Sequence, residues 1–188
     1  MKSVKKIKEG KGMSRKILVV VDMQNDFIDG SLGTDEAKLI VDNVANKIKN
    51  FDGEIKITMD THTKDYLKTQ EGKNLPVEHC IKDTDGWKIN KKIFESLKGI
   101  DYDIYEKPTF GSTELSDDLL FINETEGIES IEFVGLCTGI CVISNVLMAK
   151  AFLPEVLIKV DSSCCACVNK ESHETALNAM KLCQIEVY

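Results

Sequence analysis

The stretch Ile131-Glu-Phe-Val-Gly-Leu-Cys-Thr-Gly-Ile-Cys-Val142 changes its hydrophobic period part-way along. Its first residues form a short, mostly apolar run, which is typical of a buried parallel strand. Gly135 and Gly139 interrupt that run, and from Cys141 onward the apolar residues recur at the spacing of a helix packed on a sheet. The stretch therefore predicts a strand that ends in a turn, with Cys141 at the start of the next helix.

A cysteine at a helix start can have a chemical role. Unpaired backbone N–H groups and the positive end of the helix dipole both favour the thiolate, which is the nucleophilic form. The same N–H groups could bind an oxyanion. The alternative is that Cys141 is a small buried hydrophobic residue, as most free cysteines are. This stretch alone leaves both interpretations open.

The alternation of apolar strand and amphipathic helix recurs along the chain, apart from the leader and one long polar segment. The predicted strands cover residues 16–22, 54–60, 102–107, 131–134, 156–160 and 184–188. Helical spacing of apolar residues predicts helices over residues 35–51, 114–121, 141–152 and 173–183. The pattern indicates a single α/β domain with three layers, α/β/α, around a mostly parallel, doubly wound sheet.

Length and charge exclude several classes of protein. The 188 residues suffice for one domain with a substantial core. The formal net charge of −7, from 24 Lys+Arg and 31 Asp+Glu, argues against a general binder of nucleic acid or anionic membranes. No apolar run approaches the roughly 20 residues of a membrane span. The basic residues 1–13 are predicted to form a flexible leader, with residues 14–188 as the folded domain.

The cysteines indicate the redox compartment. Their number, seven, is odd, and most stand in apolar surroundings. Free thiols in a reducing cytoplasm fit this pattern better than a disulfide framework. The run Cys164-Cys165-Ala166-Cys167 lacks the paired spacing of a structural zinc site.

A long polar segment, residues 61–99, holds two of the three histidines, His62 and His79. Loops of this length inside compact domains are usually functional. At the preceding strand end, the alternation of side chains directs Asp60 and His62 to the same side. Carboxylate and imidazole ligands suit zinc, iron or manganese. The other interpretation is a polar loop in water, and the residues themselves favour neither.

Three reactive side chains follow predicted strands: Asp22, Lys107 and Cys141. The carboxyl ends of parallel strands share one edge of the sheet, so these side chains can converge there. An acid that takes the thiol proton and a lysine that balances negative charge would make the cysteine a working nucleophile. Taken singly, Asp22 could cap a turn and Lys107 could be a surface lysine.

Three stretches resemble, in order, the three motifs of the isochorismatase-like cysteine hydrolases, whose best-known amidases are the nicotinamidases. They are Val19-Val-Val-Asp-Met-Gln-Asn-Asp-Phe27, Glu106-Lys107 and Gly135-Leu-Cys-Thr-Gly-Ile-Cys-Val142. The likeness runs from about Lys16 to the C-terminus. It implies the isochorismatase-like hydrolase fold, and it assigns Asp22, Lys107 and Cys141 to the family's catalytic triad.

The resemblance also implies a site for the reaction intermediate. The backbone N–H groups of Cys137 and Cys141 match the family's oxyanion hole. The peptide bond between Leu136 and Cys137 matches a bond that is cis in the family.

The resemblance implies a metal site as well. In the metal-binding members an Asp-x-His ends the second strand, which corresponds to Asp60 and His62. A later histidine corresponds to His79, and some members add a glutamate, for which Glu71 is the candidate and Asp65 a weaker rival. The expected cofactor is one divalent ion, with zinc as the first choice and iron or manganese as alternatives.

For the substrate, the resemblance implies contacts with Phe27 and Leu136. Nicotinamidases clamp a flat ring between aromatic residues, and the second of these often precedes the last histidine ligand. Here no aromatic residue stands just ahead of His79, so Trp87 and Phe110 are the candidates for that role.

The function implied is that of a cytoplasmic, metal-dependent amidohydrolase. It would convert a small carboxamide to acid and ammonia through a thioester, with nicotinamide, a substrate of NAD salvage, as the first candidate. The alternatives are hydrolysis of another small amide or N-carbamoyl compound, and a non-catalytic ligand- or metal-binding module. By analogy with relatives, a homodimer or homotetramer is expected.

Overall fold

The computed structural model of the protein describes residues 15–188, so the predicted leader over residues 1–13 lies outside the described residues. Six strands form one sheet: β1 (Arg15–Val21), β2 (Glu54–Asp60), β3 (Tyr102–Lys107), β4 (Ile128–Leu136), β5 (Leu157–Ala166) and β6 (Glu186–Val187). Their order across the sheet is β3-β2-β1-β4-β5-β6, and every neighbouring pair is parallel. The chain therefore winds outward in both directions from β1 and β4, and ligands of such sheets bind at that reversal.

Within residues 15–188, seven α-helices connect the strands. They are α1 (Asn25–Ile28), α2 (Asp35–Asn50), α3 (Gln70–Asn74), α4 (Lys91–Ser96), α5 (Thr113–Thr125), α6 (Ile143–Phe152) and α7 (Lys170–Leu182). A 3₁₀ turn covers Tyr66–Lys68, and a π-helical turn covers Thr138–Val142. Among residues 15–188, no helix combines the length and the apolar character that crossing a membrane requires.

The helices cover both faces of the sheet, which confirms the predicted three-layer α/β/α class. Alternate residues of β1 show how the two layers form. Leu18 and Val20 pack toward α2 and α4, whereas Ile17, Val19 and Val21 pack toward α5, α6 and α7. All five are fully buried, and burial of one such side chain contributes about 1.5–3 kcal/mol.

Helix α2 illustrates how the sequence sets the bounds of a helix. The Thr34 hydroxyl caps its first turn by accepting the N–H of Ala37 at 3.0 Å. Acidic residues follow in the first turn and lysines stand in the last, and both complement the helix dipole. The apolar residues at helical spacing are the ones that face the sheet.

The predicted end of the fifth strand at residue 160 is wrong, because β5 continues to Ala166. The polar residues Asp161 and Ser163 interrupt the apolar pattern without ending the strand. The Asp161 carboxylate pairs with Lys47 at 2.7 Å, and the pairing with β4 shifts register between Phe133 and Gly135. The irregularity accommodates the extra residues, so that Cys164 and Cys165 lie inside the sheet as buried free thiols.

Candidate active site

The structure brings Asp22, Lys107 and Cys141 together at the carboxyl edge of the sheet. Asp22 follows β1, Lys107 is the last residue of β3, and Cys141 lies in the π-helical turn after β4. The Lys107 ammonium nitrogen, Nζ, lies 2.6 Å from Oδ2 of Asp22 and 3.6 Å from Sγ of Cys141. All three residues are at most 5% exposed. The thiol, the acid and the cation thus form one buried cluster.

The backbone and side chain of Asp22 are both held by Thr58 of β2. Asp22 has a φ of +48°, in the left-handed region, and its N–H donates to the Thr58 carbonyl at 3.1 Å. The Thr58 hydroxyl donates to Oδ1 of Asp22 at 2.7 Å. Burial raises the pKa of Asp22, although the Lys107 ammonium opposes that rise. A carboxylate with a raised pKa is a stronger base, which suits an acceptor of the thiol proton.

The expectation that the surroundings of Cys141 favour a thiolate is wrong for the resting site. Burial, followed by the negative charge of Asp22, raises the pKa of the Cys141 thiol well above its ordinary value, and the opposing effect of Lys107 is smaller. Helix α6 begins only at Ile143, so Cys141 precedes the first α-helical turn. Burial and the Asp22 charge therefore favour the neutral thiol over the thiolate at Cys141.

Lys107 remains an ammonium in this cluster. Burial alone would lower its pKa, but the charges of Asp22, Cys141 and Asp60 raise it. The Asp60 carboxylate contributes because its Oδ1 lies 3.6 Å from Nζ of Lys107. Lys107 therefore connects the thiol cluster with a second polar cluster.

The turn between β4 and Cys141 has the backbone geometry that the resemblance implied. The peptide bond between Leu136 and Cys137 is cis. The Cys137 carbonyl accepts the N–H groups of Ile140 and Val142, at 3.0 and 3.1 Å. The Thr138 hydroxyl lies 2.8 Å from Nδ1 of His173 on α7, which attaches the turn to that helix. Burial raises the pKa of the Cys137 thiol to about 12.

The second polar cluster contains Asp60, His62, Glu71 and His79, whose candidate ligand atoms all lie within 4.8 Å of one another. The Nε2 atoms of His62 and His79 lie 3.0 and 3.4 Å from Oδ2 of Asp60. Each of the two also lies 3.7 Å from Oε1 of Glu71. Asp65 is outside this cluster, because its exposed carboxylate pairs with Lys68 at 2.6 Å.

These four side chains fit a divalent cation. Two imidazole nitrogens and two carboxylates converge, and such a nitrogen–oxygen set suits zinc, iron or manganese. Burial, followed by the nearby Asp60 charge, raises the pKa of Glu71, and a cation would relieve that repulsion. Nδ1 of His79 lies 2.8 Å from the Val77 carbonyl, a contact that leaves Nε2 free to bind a metal.

Sequence reasoning missed Gln24, which holds Asp60 in place. Its Oε1 accepts the N–H of Asp60 at 2.7 Å, and its Nε2 donates to the carbonyls of Asp60 and Trp87, each at 2.8 Å. Tyr66 was missed too. Its buried ring packs against both histidines, with ring centroids 4.7 Å from His62 and 4.8 Å from His79. Gln24 stands two residues after Asp22 in the first motif, which is the signal that could have identified it.

A cavity of about 500 Å³ lies beside the metal-ligand candidates, a size typical of small-molecule sites. His62 and Glu71 form one side of it, and Phe110 and Ile140 line it as well. Ile140 directly precedes Cys141 in the chain, and Cys141 itself is not among the lining residues. Ten residues form the lining: His62, Thr69, Gln70, Glu71, Asn74, Leu75, Pro108, Thr109, Phe110 and Ile140.

The candidate substrate contacts differ in their positions. The Phe27 ring lies 5.5 Å from the His79 ring, and Phe110 lines the cavity. Trp87 lies in a separate groove and donates its indole N–H to the Thr61 hydroxyl at 2.9 Å. The Leu136 side chain is buried in the core on the α2 side and is not part of the cavity lining.

Comparison with known families identifies the family of this chain. A family model described as "Isochorismatase domain" matches residues 16–188. The chain belongs to the isochorismatase family. No curated protein matches this isochorismatase-family chain significantly.

Solved structures of nicotinamidase type are similar over almost the whole chain. A nicotinamidase/pyrazinamidase from Bacillus subtilis has 25% identity and a TM-score of 0.79, covering 92% of this chain and 98% of that one. A pyrazinamidase from Pyrococcus horikoshii in complex with zinc has 24% identity and a TM-score of 0.75, covering 93% and 98%. A pyrazinamidase/nicotinamidase from Streptococcus mutans has 23% identity and a TM-score of 0.79, covering 92% and 99%. These likenesses confirm the isochorismatase-like hydrolase fold and the resemblance to the nicotinamidase-like branch.

Proposed function

We propose that this isochorismatase-family hydrolase is a metal-dependent cysteine amidohydrolase that converts a small carboxamide to its acid and ammonia. One observation carries the proposal. Lys107 contacts both Asp22, at 2.6 Å, and Cys141, at 3.6 Å, beside a cavity bordered by candidate metal ligands. A binding module has no need of a buried acid, a cation and a thiol in contact.

The first half of the proposed reaction forms a thioester. Sγ of Cys141 attacks the amide carbonyl carbon while its proton passes to Asp22. The backbone N–H groups of Cys137 and Cys141 stabilise the oxyanion. The carbon–nitrogen bond then breaks, and the proton on Asp22 passes to the leaving nitrogen, which departs as ammonia.

The second half hydrolyses the thioester. A water molecule attacks the carbonyl carbon and gives a proton to Asp22. The carbon–sulfur bond breaks, the acid leaves, and the proton returns to Sγ of Cys141. The Lys107 ammonium holds Asp22 in position throughout and balances negative charge as it develops.

The proposed cofactor is one divalent ion, with zinc first and iron or manganese as alternatives. Asp60, His62, Glu71 and His79 would hold it. When bound, the ion supplies a Lewis-acid centre that can orient a polar group of the substrate.

Nicotinamide is the proposed first substrate, and its product, nicotinate, would enter NAD salvage. The aromatic rings of Phe27 and Phe110, together with the apolar Leu75 and Ile140, suit a flat ring beside the metal site. The similarity to the Bacillus nicotinamidase supports this choice. No aromatic residue stands just ahead of His79, so another small amide or N-carbamoyl compound is the second candidate.

The test is release of ammonia from nicotinamide by the purified protein, before and after treatment with a chelator and after metal is added back. We expect turnover that the chelator removes and metal restores. Cys141→Ala should abolish turnover, whereas Cys183→Ala, which changes an exposed thiol on the C-terminal side of α7, should leave it unchanged. Full turnover by Cys141→Ala would overturn the proposal. Turnover of other amides alone would keep the mechanism and discard nicotinamide.

A further inference from the structure

Asn145 of α6 has no role in the reaction proposed above, yet its side-chain amide makes three hydrogen bonds. Its Nδ2 donates to the Cys141 carbonyl at 2.8 Å and to the Phe110 carbonyl at 3.1 Å. Its Oδ1 accepts the N–H of Ser112 at 2.9 Å. Asn145 is 2% exposed, so water does not replace these partners. One side chain therefore joins the backbone of the nucleophile to the loop that follows Lys107.

That loop covers residues 108–112, and its first three residues form one wall of the cavity. Pro108, Thr109 and Phe110 all line it. The loop lies directly against α6, because a Cβ added at Gly111 would sit 2.5 Å from Sδ of Met148. Asn145 and Met148 are one helical turn apart, so they share a face of α6. The two hydrogen bonds of Asn145 to the loop therefore fix the distance between the cavity wall and Cys141.

We propose that Asn145 is a positioning residue that fixes the Phe110 wall relative to Cys141 and thereby favours ring-bearing substrates over small aliphatic ones. This inference rests on the proposed function, in which Cys141 is the nucleophile at this cavity. It adds a residue that touches neither the substrate nor the reacting atoms. Its effect passes through the backbone of the loop.

The Asn145 amide has two kinds of contact, one with the Cys141 carbonyl and one with the loop, and a substitution can separate them. A hydroxyl at position 145 can still donate to the Cys141 carbonyl, because serine and threonine in helices bond the carbonyl four residues earlier. The hydroxyl is too short to bridge to the Phe110 carbonyl and the Ser112 N–H as well. Asn145→Ser therefore releases the wall while it keeps the contact with the nucleophile.

The test compares how fast two reagents alkylate Cys141: iodoacetamide, which is small, and N-phenyliodoacetamide, which carries a ring. In both reactions Sγ displaces iodide from the methylene carbon and the thiol proton passes to solvent. Labelling is followed by peptide mass spectrometry, which separates Cys141 from the other thiols. A change in the pKa of the Cys141 thiol alters both rates by the same factor and therefore cancels in their ratio. The ratio thus reports the position of the cavity wall.

We expect the wild-type protein to favour the ring reagent, and Asn145→Ser to lower that preference about 10-fold, the size of one lost pocket contact. Phe110→Ala should lower it similarly, and the double variant should lose no more than Phe110→Ala alone. Lys150→Ala is the matched control, because Lys150 of α6 also donates to a backbone carbonyl, that of Pro154, at an exposed site. It should leave the ratio unchanged.

Two results would overturn the proposal. One is an unchanged ratio in folded Asn145→Ser, or in Asn145→Thr, which fills more of the volume if the serine variant does not fold. The other is absence of Cys141 labelling by either reagent in the wild-type protein, since the wall would then not face the nucleophile. Ammonia release decides the proposed function separately, so the failure of one does not imply the failure of the other.

Discussion

The Lys107 ammonium nitrogen lies 2.6 Å from Oδ2 of Asp22, and each residue is at most 2% exposed. The pair joins the ends of β3 and β1 across the intervening β2. Removal of one partner from a buried ion pair leaves an uncompensated charge and costs about 3–5 kcal/mol. The same contact that positions the proposed base therefore contributes to stability.

Lys107→Met is expected to abolish amide turnover and to lower the free energy of unfolding by about 3–5 kcal/mol. Urea denaturation of the metal-free protein measures this change. The double variant Asp22→Asn/Lys107→Met is the control, because it removes both charges. It should regain part of the lost stability without regaining activity. Equal stability of the single and double variants would show that the loss does not come from an unpaired Asp22.

The pKa of Cys141 leads to a prediction about pH. Because burial and the Asp22 charge raise this pKa, the thiolate fraction should still be rising at pH 9, and so should the rate of alkylation by iodoacetamide. Asp22→Asn removes a negative charge that opposes ionisation of the thiol, so the pKa of Cys141 should fall. Alkylation at pH 7 should then become faster although amide turnover is lost.

Alkylation rates of the wild-type protein and of Asp22→Asn, measured between pH 6 and 10, test the predicted direction of the change in the pKa of Cys141. Cys141→Ala gives the background from the other thiols. A plateau in the wild-type rate at neutral pH would contradict a neutral resting thiol. Slower alkylation in Asp22→Asn would mean that Asp22 activates the thiol even toward this reagent.

Substitutions of Glu71 and of Asp65 allow a matched test of the metal site. Glu71 lies in the cluster with the two histidines, whereas Asp65 is exposed and pairs with Lys68. Glu71→Gln should weaken zinc binding, because it removes the charge of one ligand. Asp65→Asn should bind zinc as the wild-type protein does. Calorimetric titration of the metal-free proteins measures both, and the reverse order of effects would assign the fourth ligand to Asp65.

Gln24 is expected to support the metal site without touching the ion. It holds the backbone of Asp60 on both sides, and loss of such supporting contacts costs about 10–100-fold in metal affinity. Gln24→Leu, which keeps a similar volume, should show this loss in the same titration. Unchanged affinity in a folded variant would mean that β2 fixes Asp60 by itself.

Hydrophobic period was sufficient to predict most of the architecture. The strands before Asp22 and Cys141 are mostly apolar runs, whereas β3 before Lys107 carries exposed polar residues. A parallel sheet brings all three strand ends to one edge. Glu71 could not be separated from Asp65 by spacing, because the choice depends on where a short helix begins. The Thr69 hydroxyl caps α3 and places Glu71 in its first turn, facing the histidines.

Other features have no signal in a single sequence. Asn145 is an isolated polar residue whose loop partners, Phe110 and Ser112, lie far away along the chain, so no periodicity marks it. The pKa of Cys141 depends on complete burial beside Asp22, whereas the sequence indicated only a helix start. The continuation of β5 beyond Asp161 depends on the pairing of that carboxylate with Lys47 from α2.

In the proposed reaction, Cys141 forms a covalent bond with the substrate. The most direct test of this step is intact mass spectrometry of the metal-loaded protein, quenched in acid during turnover of nicotinamide. We expect a nicotinoyl adduct located on the Cys141 peptide, which is lost with time and absent from Cys141→Ala. Turnover without any adduct, together with ammonia release by Cys141→Ala, would show that Cys141 is not the nucleophile.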